Sequence, residues 1–148
     1  MDGKDINIRA ALLSDLQEIV LLLDEVNLPS EDVSYHLDNF LVWFDDSLRG
    51  CIGLEIYDEI ALLRSAAVRS DSQGKGIGKK LTRAIIAYAK LVGVKNLYLL
   101  TTTAEKFFQN EGFEIISRDI VPESIKNTNE FSGLCPDTAI CMFYNLAL

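Results

Sequence analysis

The stretch Gln73-Gly74-Lys75-Gly76-Ile77-Gly78-Lys79-Lys80 follows an apolar segment, residues 61–68, and leads into residues with helical spacing. A strand that runs through a glycine-rich turn into a helix directs several backbone N–H groups, and the positive end of the helix dipole, at one anion. Glycines let a phosphate approach the main chain, and the loop is rich in cations: Lys75, Lys79, Lys80 and Arg83. We therefore predict a pyrophosphate-binding loop over residues 73–78, with an ordinary strand-to-helix turn as the alternative.

Two better-known phosphate loops do not fit this stretch. A P-loop requires Ser or Thr after Gly-Lys to hold magnesium, but Lys80 follows Gly78-Lys79. A dinucleotide-binding fingerprint requires Gly-x-Gly-x-x-Gly and an acidic residue about 20 residues further on. The glycines here alternate, and no acidic residue occurs between Asp71 and Glu105. Both classes of nucleotide-binding loop are therefore excluded.

The charge distribution indicates a small polyanionic ligand. The 148 residues carry a net charge of −8, but residues 62–95 hold eight Lys or Arg and one acidic residue, a local charge of +7. The remaining residues carry −15. A ligand with several phosphates would be attracted to the basic region, whereas a long nucleic acid would be repelled by its acidic surroundings. Alternatively, some of the Lys and Arg residues in the basic region lie on a solvent-exposed helix face and bind no ligand.

The composition predicts one ordered globular domain over residues 1–148, in the cytoplasm and not in a membrane. Three cysteines, Cys51, Cys135 and Cys141, lack the spacing of a disulfide framework or a zinc site and fit reduced thiols. We expect no metal site. The single histidine, His36, is interpreted as a surface or hydrogen-bonded helix residue, with substrate contact as the alternative.

The hydrophobic pattern predicts an α/β chain. Predicted strands cover residues 6–9, 40–44, 50–57, 60–68, 96–101, 113–121 and 139–144. Predicted helices cover residues 14–26 after a capping box at Ser14, a short stretch after Ser30-Glu31-Asp32, residues 77–91, and residues 104–111 with Thr103 as cap. A polar excursion covers residues 122–137. The nearly all-apolar strand 96–101 predicts a right-handed crossover between parallel strands.

The turn Asp58-Glu59 predicts the register of a hairpin. With a two-residue turn, Glu55 lies opposite Leu62 and Gly53 lies opposite Arg64. Glu55 and Arg64 then become diagonal neighbours on one face of the sheet, within reach of each other.

Two motifs together resemble the GNAT superfamily of acetyl-CoA-dependent N-acetyltransferases. The first is Gln73-x-x-Gly76-x-Gly78 after a strand that ends in Val68. The second is Phe107-Phe108-Gln109-Asn110-Glu111-Gly112-Phe113, which is similar to the family's aromatic-pair helix ending in Gly-Phe. The resemblance implies a mixed, mostly antiparallel sheet of six or seven strands with helices on both faces. It also implies that the parallel strands splay apart beside Val68 to hold the pantetheine arm of coenzyme A.

The resemblance implies the residues that contact acetyl-CoA. They are Ala66, Ala67, Val68, Gln73, Gly74, Lys75, Gly76, Ile77, Gly78, Lys79, Thr103, Phe107 and Phe108. N-Acetylation requires a proton acceptor for the ammonium and a donor for the oxyanion. The candidates are the Glu55 carboxylate and the Val68 backbone amide, although Glu55 can instead simply pair with Arg64. Because Phe108 stands where the family often has Tyr, the leaving thiolate would depend on solvent, on Tyr98 or Tyr144, or on no acid.

Further segments are similar to the arsenic-resistance-associated GNAT branch, itself related to amino-acid N-acetyltransferases such as N-acetylglutamate synthase. They include Leu62-Leu63-Arg64-Ser65, Thr101-Thr102-Thr103 and Phe131-x-x-Leu134-Cys135-Pro136. This implies a small amino-acid-like amine as acceptor. Arg64 or Arg118 would bind its carboxylate, and Ser65 and Thr101 would add hydrogen bonds. Cys135 is interpreted as a structural residue of its loop, with thiol chemistry as the alternative.

Two other functions remain open from the sequence. One is a coenzyme-A-binding sensor or partner subunit without turnover, and the other is a protein N-terminal acetyltransferase. A monomer or a homodimer is expected, without nucleic acid or membrane partners.

Overall fold

A computed structural model describes residues 7–134 and 138–147, in which seven strands form one sheet in the order β1-β2-β3-β4-β5-β7-β6. The strands are β1 Ile8–Ala10, β2 Phe40–Phe44, β3 Leu48–Tyr57, β4 Ile60–Val68, β5 Asn96–Thr101, β6 Glu114–Ile116 and β7 Ile140–Asn145. The helices are α1 Leu16–Glu25, α2 Ile77–Leu91, α3 Glu105–Asn110 and α4 Glu123–Lys126. The predicted mixed sheet of six or seven strands is confirmed.

The sheet is antiparallel except where β4 meets β5. The β3–β4 hairpin has the predicted register, since Glu55 pairs with Leu62 and Gly53 with Arg64. Beyond Gly53 the register shifts, and Ser65 has a left-handed φ of 60°. A bulge therefore bends β4 just before Val68.

The parallel pair is short. β4 and β5 pair only from Ile60 with Asn96 to Leu62 with Tyr98. From Leu63 to Val68, β4 keeps its partner β3 on one side and has no paired strand on the other. The predicted divergence of the parallel strands is therefore present.

Helices cover both faces of the sheet, as predicted. Leu81, Ile85 and Ala89 of α2 pack with Ile52 and Leu97 on one face. On the opposite face two separate apolar clusters form, one around Ile19, Leu22 and Leu23 of α1 and the other around Ile125 of α4. Within the described residues, no helix combines the length and the apolar character needed to cross a membrane.

Several predicted boundaries at the ends of elements were wrong. Residues 113–121 form only the short strand β6, followed by a 3-10 turn, Arg118–Ile120. The segment after Ser30 forms two 3-10 turns, Val33–Tyr35 and Leu37–Asn39, and no α-helix. The Asp32 side chain binds Arg64 and makes no cap hydrogen bond.

Both predicted helix caps were also wrong. The Asp15 carboxylate, and not Ser14, accepts the Leu12 N–H at 2.7 Å. At α3 the Thr101 hydroxyl, and not Thr103, accepts the Ala104 N–H at 3.0 Å. In each case the residue that accepts the N–H lies one or two positions from the predicted one.

The ring of Phe40 lies directly over Gly53. Phe40 on β2 is 1% exposed and pairs with Gly53 on β3. A Cβ atom on Gly53 would lie 2.3 Å from the ring. Only glycine therefore fits beneath this ring at the centre of the sheet.

We expect Gly53→Ala to cost about 1–3 kcal/mol of unfolding free energy, because the added methyl group overpacks against Phe40. Gly133→Ala is the matched control, since a Cβ there meets nothing within 4 Å. Urea unfolding measures both. Combining Gly53→Ala with Phe40→Leu should recover part of the loss, and equal stability of the two alanine variants would contradict the steric explanation.

Candidate active site

The glycine loop, residues 73–78, presents free backbone donors at the start of α2. Gly74 and Gly76 have φ values of 81° and 83°, and a Cβ on either would meet nothing within 4 Å. Within the described part of the chain, the N–H groups of residues 73–79 donate to no protein acceptor, whereas Lys80 N–H bonds Gly76 O. The loop is exposed from Gln73 to Gly76. Such an array of amides can bind an anion.

The cations predicted around the glycine loop divide into two groups. Lys75 and Lys79 are exposed beside the loop. Lys80 lies with Nζ 5.6 Å from the centre of the Trp43 ring, and Arg83 Nε lies 3.1 Å from Glu111 Oε1. Lys75 and Lys79 are thus the better placed for a phosphate ligand.

A cavity of about 270 Å³, called the main cavity below, occupies the gap where β4 and β5 diverge. Its walls include Leu63–Val68 of β4, Leu99–Thr101 of β5, and Gln73 of the glycine loop. A side cavity of about 100 Å³ shares Ala66, Ala67, Val68, Ala104 and Phe108 with it. The gap between the strands therefore extends to the loop with the free amides.

The Val68 N–H is directed into this gap. Arg69 N–H donates to Arg49 O at 2.8 Å, so these two residues form a hydrogen-bonded pair. The adjacent pair in the ladder is Val68 with Gly50. Hydrogen-bonded and non-hydrogen-bonded pairs alternate in an antiparallel ladder. The Val68 N–H therefore points away from β3, while the Gln73 side chain donates to Val68 O at 3.1 Å.

Aromatic side chains form one wall of the side cavity. Phe107 and Phe108 both line it, and their rings pack edge to face with centroids 5.1 Å apart. Tyr98 packs on Phe143, and Tyr144 packs on Phe113. Among the described residues, no tyrosine lines either cavity. Neither tyrosine considered as an acid thus lies at the gap.

Next to the main cavity lies the Arg64 network, defined as Arg64 with Asp32, Glu55, Ser65 and Glu130, of which Arg64, Ser65 and Glu130 line the cavity. Both Nη atoms of Arg64 bind Asp32, at 2.9 and 2.6 Å, and Nη1 also binds Glu55 Oε2 at 2.5 Å. Nε donates to Ser65 Oγ at 3.0 Å and lies 3.4 Å from Glu130 Oε2. The Arg64 side chain is 0% exposed, so its single positive charge is shared among three carboxylates.

Electrostatics stabilise the charged forms of this network. Burial would raise the pKa of Asp32, but the hydrogen bonds and charge of Arg64 outweigh it and hold the pKa below its ordinary value. Burial would lower the pKa of Arg64, but Asp32, Glu130 and Glu55 raise it. Asp32 and Arg64 are therefore both charged at neutral pH.

Glu55 lies in this network and away from the cavity walls. Its Oε1 accepts the Tyr57 hydroxyl at 2.6 Å and lies 3.5 Å from His36 Nε2. The pairing with Arg64 that the sequence left open is present. Glu55 is 1% exposed and does not line the main cavity, so proton transfer from a ligand there would need an intervening group.

The residues predicted to bind the acceptor do not all come together. Ser65, Thr101 and Arg64 line the main cavity, although the Arg64 guanidinium already binds carboxylates. Arg118 does not line it; this side chain donates to Ala139 O and stacks on Phe131. Cys135 lies outside the described residues.

Asp32, His36 and Glu55 each bring one ligand atom within 4.8 Å of the others. These donor types suit a divalent cation. However, the Arg64 guanidinium binds both carboxylates, so a metal ion would have to displace it or share its ligands. A positively charged group therefore already contacts the two carboxylates that a metal ion would use.

Cys51 lies beside the strand bulge and lines the side cavity. Its Sγ donates to Ser65 O at 3.2 Å. Burial raises the pKa of this thiol to about 12. Cys51 is therefore a protonated thiol at neutral pH.

The comparisons with known proteins show the family to which a chain with this fold and this site belongs. The family model described as the acetyltransferase (GNAT) domain matches residues 36–115. The chain belongs to the GNAT acetyltransferase family, as the two sequence motifs predicted.

The chain is similar to amino-acid acetyltransferases. That of Neisseria meningitidis serogroup A (strain Z2491) is 31% identical over 130 residues, 84% of this chain and 28% of that protein. That of Escherichia coli K12 is 30% identical over 129 residues, 80% of this chain and 29% of that protein. The chain thus spans less than a third of the length of these curated relatives. They support the amino-acid branch of the family, whereas the arsenic-resistance-associated branch stays a prediction.

Solved structures show the same fold. N-Acetylglutamate synthase from Neisseria gonorrhoeae, complexed with coenzyme A and N-acetyl-glutamate, superimposes with a TM-score of 0.81 at 26% identity. The match covers 94% of this chain and 34% of that chain. A GNAT acetyltransferase from Staphylococcus aureus Mu50 matches with a TM-score of 0.77 at 22% identity, covering 95% and 98% of the two chains.

We expect Arg64→Met to cost about 3–5 kcal/mol of unfolding free energy, because it leaves three buried carboxylates without their cation. Lys95→Met is the control. Lys95 Nζ lies 3.4 Å from Glu59 Oε2, but both side chains are more than half exposed, and such pairs contribute at most about 1 kcal/mol. Urea unfolding at neutral pH measures both, and similar losses would show that the Arg64 network does not hold the fold.

Proposed function

We propose that this protein transfers acetyl from acetyl-CoA to the primary amine of a small amino-acid-like acceptor, by direct attack in a ternary complex. The observation that carries the proposal is the unpaired edge of β4, residues 63–68, which faces a cavity continuous with the free amides of the glycine loop. Membership in the GNAT family and similarity to amino-acid acetyltransferases support the same reaction.

The residues at the gap fit coenzyme A. The amides of Gly74 to Lys79 would bind the pyrophosphate, with Lys75 and Lys79 beside it. Main-chain groups of Ala66 and Val68 would pair with the pantetheine amides, much as an added strand pairs with a sheet edge. Phe107 and Phe108 would pack against the arm. The structurally similar N-acetylglutamate synthase from N. gonorrhoeae was solved in complex with coenzyme A, which supports this assignment.

The chain's own groups would serve the transfer in two ways. Acetyl-CoA supplies an already activated thioester. The Val68 N–H, directed into the gap, would stabilise negative charge on the reacting carbonyl oxygen. An amine must lose its proton before it attacks, and Glu55 would accept that proton through water or a neighbouring side chain. The departing sulfur would take its proton from solvent.

An assay for free thiol with acetyl-CoA and a broad panel of amino acids and related amines tests this function. Thiol release above background for at least one amine is the expected result. Coenzyme binding by calorimetry without any turnover would instead favour a coenzyme-binding sensor or partner subunit.

Gly76→Val should abolish coenzyme A binding, because a branched side chain fills the space that the phosphates approach. The matched control is Gly93→Val. Gly93 has a φ of 94°, ends the same helix, and a Cβ there also meets nothing within 4 Å. Both variants suffer the same backbone strain, so calorimetric loss of coenzyme binding in both would refute the role of the loop.

Glu55→Gln should lower turnover most at neutral pH and be partly rescued at higher pH, where more of the acceptor is already the free amine. Turnover measured across the pH range checks this. Tyr57→Phe is the control, since it keeps the ring and removes one hydrogen bond to Glu55. A loss in Glu55→Gln that does not change with pH would indicate that Glu55 only holds Arg64 in place.

A further inference from the structure

The residues that lead into the glycine loop are anchored more firmly than the loop itself. The 3-10 turn Ser70–Ser72 joins β4 to residue 73, and Ser72 is 1% exposed. The Ser72 N–H donates to Arg69 O at 2.9 Å. Residues 73–76, which follow, are exposed, and in the described part of the chain their N–H groups donate to no protein acceptor. The direction of the free amides therefore depends on this turn and on the first turn of α2.

Arg49 on β3 contacts both ends of the turn. Its C=O accepts the Arg69 N–H at 2.8 Å, and its Nη1 donates to Ser72 Oγ at 3.4 Å. Ser72 Oγ in turn donates to Asp71 Oδ1 at 3.0 Å. Through this hydroxyl, the guanidinium is linked to the backbone just before the glycine loop.

The other two nitrogens of the Arg49 guanidinium bind the turn between β2 and β3. Nε donates to Asp45 Oδ1 at 2.9 Å, and Nη2 donates to Asp46 Oδ1 at 3.3 Å. Exposed ion pairs add little to stability, but a planar guanidinium holds several partners in a fixed relative geometry. Each nitrogen of the Arg49 guanidinium donates to a protein acceptor, which favours an effect on the loop through Ser72 over direct contact with a phosphate.

We propose that Arg49 is a positioning residue for coenzyme A, which presets the glycine loop by holding Ser72. The proposal rests on the proposed function, because it takes the amides of residues 74–79 as the diphosphate site. A loop that is already in its bound conformation loses less conformational freedom when the ligand arrives. Loss of the Arg49 contacts should therefore weaken coenzyme binding and leave the transfer step unchanged.

Calorimetry with coenzyme A compares the wild type with Arg49→Lys, which keeps the charge but cannot bind the same three acceptors. Coenzyme affinity should fall about two- to tenfold, the range expected for ordering one side chain on binding. Dephospho-coenzyme A, which has the diphosphate but no 3′-phosphate, should lose affinity by the same factor. Arg9→Lys is the matched control, since Arg9 on β1 binds Asp15 through two nitrogens, and it should not change coenzyme affinity.

Ser72→Ala removes the hydroxyl that Arg49 holds and keeps every charge, and it should weaken coenzyme binding by a similar factor. Because both substitutions break the same contact, the double variant Arg49→Lys with Ser72→Ala should lose little more affinity than either single variant. In a turnover assay, the KM for acetyl-CoA should rise with kcat unchanged, whereas a general loss of structure would lower kcat as well.

The outcomes separate this proposal from the proposed function. Full coenzyme affinity in Arg49→Lys, an equal loss in Arg9→Lys, or additive losses in the double variant would overturn the role of Arg49. A larger loss for coenzyme A than for dephospho-coenzyme A would overturn it too, since Arg49 would then contact the 3′-phosphate directly. Coenzyme binding that depends on Arg49, in a protein that releases no thiol, would keep the positioning role and reject catalysis. Tight coenzyme binding by Gly76→Val, or no coenzyme binding by the wild type, would reject the loop as the diphosphate site and this proposal with it.

Discussion

The early separation of the two parallel strands determines the rest of this site. After Leu62, β4 has no strand on its β5 side, and the bulge at Ser65 bends it further. Backbone N–H and C=O groups in such a gap need hydrogen-bonding partners, and a ligand with amides along its length can supply them. The same divergence opens the main cavity, whose lining includes Gln73 of the glycine loop, so one break in strand pairing places an open strand edge beside the free amides.

Beside the main cavity, buried ions connect parts of the chain that are distant in sequence. Arg64 joins β4 to the turn at Asp32, to β3 through Glu55, and to the segment of Glu130. Two of its partners adjoin the apolar clusters in sequence: Asp32 precedes Val33 of the cluster around α1, and Glu130 precedes Phe131, which packs on the cluster around α4. Polar side chains at this position fix the geometry of the cavity wall, because a guanidinium with several partners tolerates little displacement.

Most of the sheet was predictable because local chemistry determines it. The two-residue turn at Asp58-Glu59 set the register of β3 and β4, and thereby the proximity of Glu55 and Arg64. The partners Asp32 and Glu130 were missed as site residues, because they approach Arg64 from 32 and 66 positions away and no sequence period connects them. The strand over residues 113–121 was predicted too long, because the 3-10 turn Arg118–Ile120 ends the extended backbone before the apolar Val121. Thr101 and Thr103 are equally good caps in sequence, and only the path of the backbone decides between them.

The sulfur of Cys51 illustrates how burial protects the proposed chemistry. A thiolate next to an acyl thioester would capture the acyl group by exchange, and the protein would acylate itself. Cys51 lines the side cavity, but its S–H is committed to Ser65 O, and its pKa of about 12 leaves almost no thiolate at neutral pH. The Cys51 thiol can therefore line a cavity next to the proposed thioester and remain unreactive.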